Sequence, residues 1–579
     1  MWELIIQSTI LFLWIITVNL ISGWSILILF YKDYNTRFNN LELFAYSFSL
    51  GTVYISILGF ILDLTIGINI ITVITPTFAL ILISIILRKK SILEQNKVNT
   101  PNKYRIAVVI IFIVVAFGLI LRMIPPILNQ ILMAWDTWYW LNVSKNVAFT
   151  GHSLITFKPL YPSGYAYITG IVCLTNPEFT YIFIQAISIF LYFPIGCISV
   201  ICISNKISGK SKIYSLFSGL IFSSSYLLVS FGMLGLPQNI AYSLIPVSLL
   251  FFSQRGVQRF LGALILSGIY IIHTPSALIM LISIGLFGAL YMLTNRECIR
   301  LKETKIILLL ILALTIITVI IIFTIFPQII TYFINFSFYS SATPGLLYFL
   351  FYSSGFIVFF LTVLGAVYSL REKIVLSNLF FTLFFTSFIF SQLPGGTLGI
   401  PWAPVRYLMY MSTAATAPAA LGFSKAVHLI NKYGKNNFIQ PAKSIFIIFT
   451  VLFQTSIGLT AFLKNGGWDY AINNYEYSTL KWMGVNTDYN TQIIVYPGIH
   501  NGMYKAAKAF LNPRLVVTNT THIYNESAVN ETVLSDILIS NFHYIILNSS
   551  QYPVLNSLLE GNSSFQVVYT ILDIRVFKF

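Results

Sequence analysis

Charge is what this sequence has least of. Only 9% of its 579 residues are Asp, Glu, Lys or Arg, and just 18 are acids, where a soluble domain carries about a quarter charged residues. A water-soluble globule is therefore excluded for most of the chain. Cysteine is scarce too: Cys173, Cys197, Cys202 and Cys298 lie in or beside the apolar runs without metal-ligand spacing, so they give no sign of a disulfide framework and read as small apolar residues. A cleavable leader is not expected, because Glu3 stands where a basic residue would precede the apolar run Leu4 to Tyr31, and no small-residue cleavage site follows. That first segment is expected to remain a span. No repeat of fixed period is visible, nor the paired halves common in transporters.

What is present is hydrocarbon: 57% of residues are apolar. Runs long enough to cross about 30 Å of lipid fall at 5–30, 41–64, 66–87, 106–124, 179–204, 213–231, 237–253, 259–273, 275–294, 306–326, 345–370, 374–391, 405–423 and 444–463. The net charge of +16 would point to nucleic acid in a soluble protein, but here it follows the membrane. If the ends near Met1 and Lys464 both lie outside, most of the 34 Lys and Arg fall in cytoplasmic connections, as the positive-inside rule requires. Five N-x-[ST] acceptor patterns, at Asn519, Asn525, Asn530, Asn548 and Asn562, cluster in the tail and agree with that orientation. Two more begin at Asn142 and Asn335, in expected outer loops.

The expected fold is mainly α: a polytopic transmembrane helical bundle with a small C-terminal extracytoplasmic α/β domain. Residues 1–105 form the first spans and a basic loop, 106–463 the core with outer loops 125–178 and 392–404, and 464–579 the outer domain. In that tail, strands are expected near 492–496, 514–517 and 544–547 and helices near 503–511, 533–540 and 554–558, followed by two strands to Phe579. The expected location is the cell membrane, with multiple passes and both ends extracytoplasmic.

Removing the cytoplasmic and tail cations leaves Arg122, Lys145, Lys158 and Arg406; the outer acids before the tail are Glu3, Asp63, Asp136 and Glu178. Ionisable groups so rare at a membrane face are functional candidates. Two segments hold most of them. The first is the loop 125–178, which contains WDTWYWLNVSKNVAFTGH (Trp135 to His152) and FKPLYPSGY (Phe157 to Tyr165). Connections this long are usually functional or disordered, and the aromatic content argues against disorder. Two readings of Asp136 stand: the N-cap of a helix lying in the interface, or a carboxylate that takes a proton from an attacking hydroxyl, with Trp138 and Tyr139 shaping a sugar site. The second is LPGGTLGIPWAPVRYLMY (Leu393 to Tyr410), where Arg406 either snorkels to headgroups or pairs its guanidinium fork with phosphate. His273, followed by Thr274 and Pro275, marks a broken span; it is a kink residue bonded to backbone or an imidazole facing an outer cavity. Lys158 beside Tyr161, and Gln238 with Asn239, are weaker candidates for phosphate or sugar hydroxyls.

The first of these segments, with its YPSG element, resembles the first large external loop of the GT-C superfamily, membrane glycosyltransferases that use polyprenyl-phosphate-linked sugars and include oligosaccharyltransferase catalytic subunits and protein O-mannosyltransferases. The second resembles the later external loop whose arginine helps hold the donor phosphate. The resemblance implies Asp136 as the catalytic carboxylate and Arg406, His273, Lys158, Tyr161, Trp138 and Tyr139 as donor-site residues. Tyr477 to Tyr504 resembles the start of an oligosaccharyltransferase soluble domain, but Tyr496, Pro497, Gly498, Ile499 and His500 stand where the WWDYG motif would follow, so transfer to Asn sequons is not expected. Some relatives hold Mg²⁺ or Mn²⁺; here only Asp136 with Glu178 or Asp63 offers oxygens, a poor site unless the donor phosphate completes it, and metal-free chemistry is expected. The implied partners are the bilayer, a dolichyl-type polyprenyl phosphate sugar and a glycan, lipid or protein acceptor, with no nucleic acid. The rival functions are a transporter or flippase of lipid-linked sugar, and a non-catalytic GT-C-like assembly protein. The resemblance begins after the first three spans and leaves them unexplained.

Overall fold

Apolar segments this long can satisfy their backbone groups in hydrocarbon only as helices, and helices are what form. The structure, a computed structural model, describes residues 10, 13–31, 37–93, 105–129, 135–153, 163–175, 184, 187–207, 212–254, 256–294, 354–392, 404–433, 439–464, 474–486, 493–495, 517–518, 543–550 and 553–578. Its first half contains α1 (Leu13–Phe30), α2 (Asn40–Leu64), α3 (Ile70–Leu93), α4 (Arg105–Asn129), α5 (Trp135–Thr150), α6 (Gly164–Val172) and α7 (Ser188–Ile207). There follow α8 (Lys212–Ser224), α9 (Tyr226–Gly232), α10 (Pro237–Phe252), α11 (Arg259–Ile272) and α12 (Thr274–Thr294). The bundle ends with α13 (Phe356–Arg371), α14 (Val375–Gln392), α15 (Pro404–Tyr433) and α16 (Ile439–Lys464).

Among the described residues six helices are long and apolar enough to cross a membrane, and a seventh span results if α8 and α9, bent by 54° at Ser225, count as one. The protein is a multi-pass membrane protein. Every apolar run of the sequence falls wholly or partly on a described helix except 306–326, which lies outside the described residues. In α2 and α7, 72% of the apolar window is buried, against 17% in α3 and 28% in α16, so α2 and α7 form the centre and α3 and α16 face lipid. Bundle contacts are made at small residues, since lipid offers no hydrophobic drive to associate. Gly23 and Gly51 bring the α1 and α2 backbones together, where a Cβ would overlap the Ser47 or Asn19 carbonyl oxygen; Gly365 and Gly422 do the same for α13 and α15.

The two ends of the bundle differ. At one, Asn39 and Glu42 close a reciprocal cap on α2, with both N–H···O bonds at 3.0 Å, and Glu42 also pairs with Lys206 at 3.0 Å. There Arg88 donates to the Ile28 and Leu29 carbonyls at the end of α1, and Lys425 pairs with Glu372 at 2.6 Å. The other end, reached by the C-termini of α2 and α11 and the N-termini of α6, α10, α12 and α15, has few charges and holds the candidate site.

After the bundle come α17 (Asn474–Asn486) and a sheet of β1 (Ile493–Val495), β2 (Val517–Thr518), β3 (Tyr544–Asn548), β4 (Gln566–Ile571) and β5 (Ile574–Lys578), with α18 (Pro553–Gly561) before β4. The strand order is β2-β1-β3-β5-β4, the first three parallel and the last two antiparallel to their neighbours. This is the small α/β unit expected of the tail; the helices expected at 503–511 and 533–540 lie outside the described residues. Trp482 of α17 stacks on Tyr569 of β4, centroids 4.8 Å apart, and ties that helix to the sheet.

Candidate functional site

The helix α5, which carries the WDTWYW stretch, does not lie amphipathically in an interface. Trp138, Trp140, Leu141, Val143, Ser144, Lys145, Asn146 and Val147 are all buried, so protein surrounds the helix on nearly every side. Trp140 meets Tyr165 of α6 edge-on at 5.6 Å, and Ser144 Oγ lies 2.5 Å from Thr169 Oγ1. Near its start, the Thr137 methyl packs against Gly235, just before α10; just past its end, the Gly151 carbonyl accepts from Ile68 N–H, before α3. Thus α5 is wedged across the charge-poor end. Asn142 lies on this helix with a buried Oδ1. Asp136 sits in the first turn of α5, and its side chain lies outside the described residues. Trp138 is completely buried, and Tyr139 is half-buried with its ring 5.2 Å from that of Trp140.

His273 interrupts the chain between α11 and α12 with extended φ of −155°, and it is buried. Its Nδ1 lies 2.7 Å from Ser276 Oγ, 3.3 Å from Tyr410 OH, and accepts Ser276 N–H at 3.3 Å. Ser276 Oγ in turn donates to Tyr410 OH at 2.8 Å. An Nδ1 that accepts a backbone N–H carries no proton, so the network assigns the imidazole proton to Nε2. Tyr410 belongs to α15, one turn along from Arg406, so both residues share a helix face. Arg406 is half-buried in the first turn of α15. A guanidinium beside the positive end of a 30-residue helix is a setting that favours an anion.

The YPSG element arrives at the same place. Gly164 packs so closely on the Ile271 and Ile272 backbone, immediately before His273, that a Cβ would overlap it. Ser163 precedes it and is buried. Lys158, Tyr161 and Glu178 lie outside the described residues, as do Asn519, Asn525 and Asn530; Asn548 is on β3, with its side chain outside them. Asn562 sits in the turn between α18 and β4, where its Oδ1 accepts Ser564 N–H at 2.9 Å. Sequence reasoning missed Ser276 and Tyr410, although spacings of three from His273 and four from Arg406 were available as signals.

Two other sparse charges have local partners. Arg122 is fully buried and donates to the carbonyls of Gly118, Ser223, Phe222 and Leu228 at 2.8–3.4 Å, with its guanidinium 4.0 Å above the Phe193 ring. It satisfies carbonyls on both sides of the break between α8 and α9, which hydrocarbon could not do. Asp63 is engaged by Ser153 and Tyr167 and does not face the His273 cluster in any contact among the described residues. Within those residues no group of three His, Cys, Asp or Glu converges.

A family model described as a family of unknown function, DUF6541, matches residues 35–492. No curated protein matches the chain. Two solved structures are similar to it: ArnT from Cupriavidus metallidurans bound to undecaprenyl phosphate, at a TM-score of 0.52 and 11% identity over 82% of this chain and 97% of that one, and the same protein in the apo state, at 0.53 and 12% over 82% and 98%. At that identity the likeness is one of fold: the bundle is GT-C-like.

Proposed function

The chain belongs to the DUF6541 family, whose function is unknown, and from that starting point we propose that it is a membrane glycosyltransferase of the GT-C type that moves a sugar from a polyprenyl-phosphate donor to an acceptor. The observation that carries this reading is the hydrogen-bonded cluster of Tyr410, His273 and Ser276 at the end of the bundle across which α5 lies, with Arg406 one turn before Tyr410 on α15. The fold is shared with ArnT, whose structure holds undecaprenyl phosphate, and this supports the same lipid phosphate as the handle of the donor. Arg406 pairs with the phosphate and stabilises it as leaving group. The hydroxyls of Tyr410 and Ser276 hold His273 in one tautomer beside it. Asp136, at the start of α5, takes the proton from the attacking hydroxyl as the anomeric carbon exchanges its phosphate oxygen for the acceptor oxygen. One carboxylate on the acceptor side and a phosphate leaving opposite it fit inversion. The proposed orientation puts this end, the N-terminus and the α/β unit outside, with the charge-rich end in the cytoplasm. A transporter would need ionisable groups along a path through the spans; buried Arg122 is instead bound to carbonyls.

The test is transfer from a radiolabelled polyprenyl-phosphate sugar by protein reconstituted in vesicles. Asp136→Asn should abolish transfer while leaving insertion and undecaprenyl-phosphate binding intact. Full activity in that variant would reject the role of Asp136, and loss of phosphate binding in neither Arg406→Ala nor Arg406→Gln would reject the donor site.

A further inference from the structure

Asp63, at the end of α2, takes no part in the His273 cluster, yet it has the densest set of donors of any carboxylate among the described residues. Its Oδ1 accepts Ser153 N–H at 3.0 Å, and its Oδ2 accepts Ser153 Oγ–H and Tyr167 OH, each at 2.7 Å. His152 Nδ1 lies 3.3 Å from Oδ1 and 3.1 Å from the Asp63 carbonyl. Both neighbours are acceptors, so Nδ1 holds a proton, and in the neutral imidazole the lone pair is on Nε2, the reverse of His273. The His152 side chain is 44% exposed and that of Asp63 only 12%. An imidazole oriented by a half-buried carboxylate presents Nε2, in its neutral form, as a hydrogen-bond acceptor.

That imidazole lines an open cleft of about 730 Å³ between Ile66–Ile71 and Ala148–His152, with Leu174. Gly67, at φ +82°, leaves room at Nε2 that a side chain would crowd. The other polar atoms are mostly committed: Asn69 Oδ1 accepts Thr72 N–H, and Thr150 Oγ1 donates to the Asn146 carbonyl. Among the described residues the cleft contains no Lys or Arg to draw a phosphate, and Asp63, the one carboxylate beside it there, is saturated, so an ammonium gains little. A neutral hydroxyl donor suits Nε2. The rim is apolar and exposed, with Ile66 at 71% and Ile71 at 75%, where α3 begins its lipid-facing course.

We infer that this cleft seats a hydroxyl-bearing membrane amphiphile, a glycolipid or polyol lipid, whose headgroup hydroxyl donates to His152 Nε2 while its chains lie along α3. Resting on the glycosyltransferase reading, this amphiphile is the acceptor. The inference gives the second and third spans a purpose, since the turn between them builds half the cleft. Tyr167, which contacts Asp63, and Gly164, which abuts the Ile271 and Ile272 backbone just before His273, are about one turn apart on α6, so the two sites share that helix.

The test uses full-length protein with ¹⁵N-labelled histidine in nanodiscs, His152→Gln identifying the resonance. Titration with an alkyl glucoside should shift the His152 Nε2 signal saturably, while an alkyl phosphate and an alkyltrimethylammonium of equal chain length should not. No shift, or an equal shift with all three, overturns the inference. Asp63→Asn should change the tautomer signature and weaken the glucoside response. In vesicles, His152→Gln should lower transfer of labelled sugar into lipid by about tenfold or more with undecaprenyl-phosphate binding unchanged; undiminished transfer would overturn the acceptor role. Wild-type protein that binds glucoside at His152 but transfers nothing would sink the enzymatic reading and leave the cleft standing.

Discussion

The two ends of the bundle use charge in opposite ways. At one end, Glu42, Lys206, Arg88, Glu372 and Lys425 are each matched by a counter-ion or a helix carbonyl. At the other, His273 is held by the hydroxyls of Ser276 and Tyr410, Arg406 stands one turn before Tyr410, and Asp63 is saturated by donors. Abundant paired charge holds helix ends and marks a membrane side; sparse charge held in fixed geometry leaves capacity for a ligand. The difference teaches where chemistry can occur in a chain with only 9% charged residues.

Substitutions on the two sides should break that comparison or sharpen it. The largest effect is expected from Arg406→Ala, which should lower transfer by about a thousandfold and abolish undecaprenyl-phosphate binding measured by native mass spectrometry; Arg406→Lys, keeping charge without the fork, should recover only part. Unaltered phosphate binding in Arg406→Ala would make both ends merely structural. Next comes Arg122→Met, which strands carbonyls at the α8–α9 break. It should cost on the order of 3 kcal/mol, read as a fall in thermal midpoint in detergent, with the activity of the surviving folded protein largely kept. Tyr410→Phe removes one hydroxyl from the His273 network and should cut transfer about tenfold with little change in midpoint. The smallest effect belongs to the charge-rich end: Glu42→Gln should cost about 1 kcal/mol and leave transfer unchanged. A large activity loss there would erase the contrast.

Much of the site could be read from composition. Counting cations against topology isolated Arg406 and Arg122 with no structure in hand, because a charge near lipid needs a reason. The same count could not separate them: Arg122 turned out to be bound to carbonyls of a bent span, and nothing in its neighbouring residues announces a break at Ser225. The aromatic stretch 135–150 was legible as a helix but not as a buried one, since its residues are apolar enough for either an interface or a core. Asp63 appeared as one of four outer acids and as a candidate companion of Asp136 at a metal. Its partners His152, Ser153 and Tyr167 are some ninety to a hundred residues away, a separation no local pattern encodes.

The sequence by itself determined that this protein is a multi-pass membrane protein, where its helices run and which ionisable groups are rare, because hydrocarbon imposes helix length and charge placement residue by residue. Tertiary structure alone decided which of those rare groups meet. Helix packing brings the start of α15 to the break after α11 and the end of α2 to the end of α5, and close approach at small residues sets those distances through contacts spread over the whole bundle.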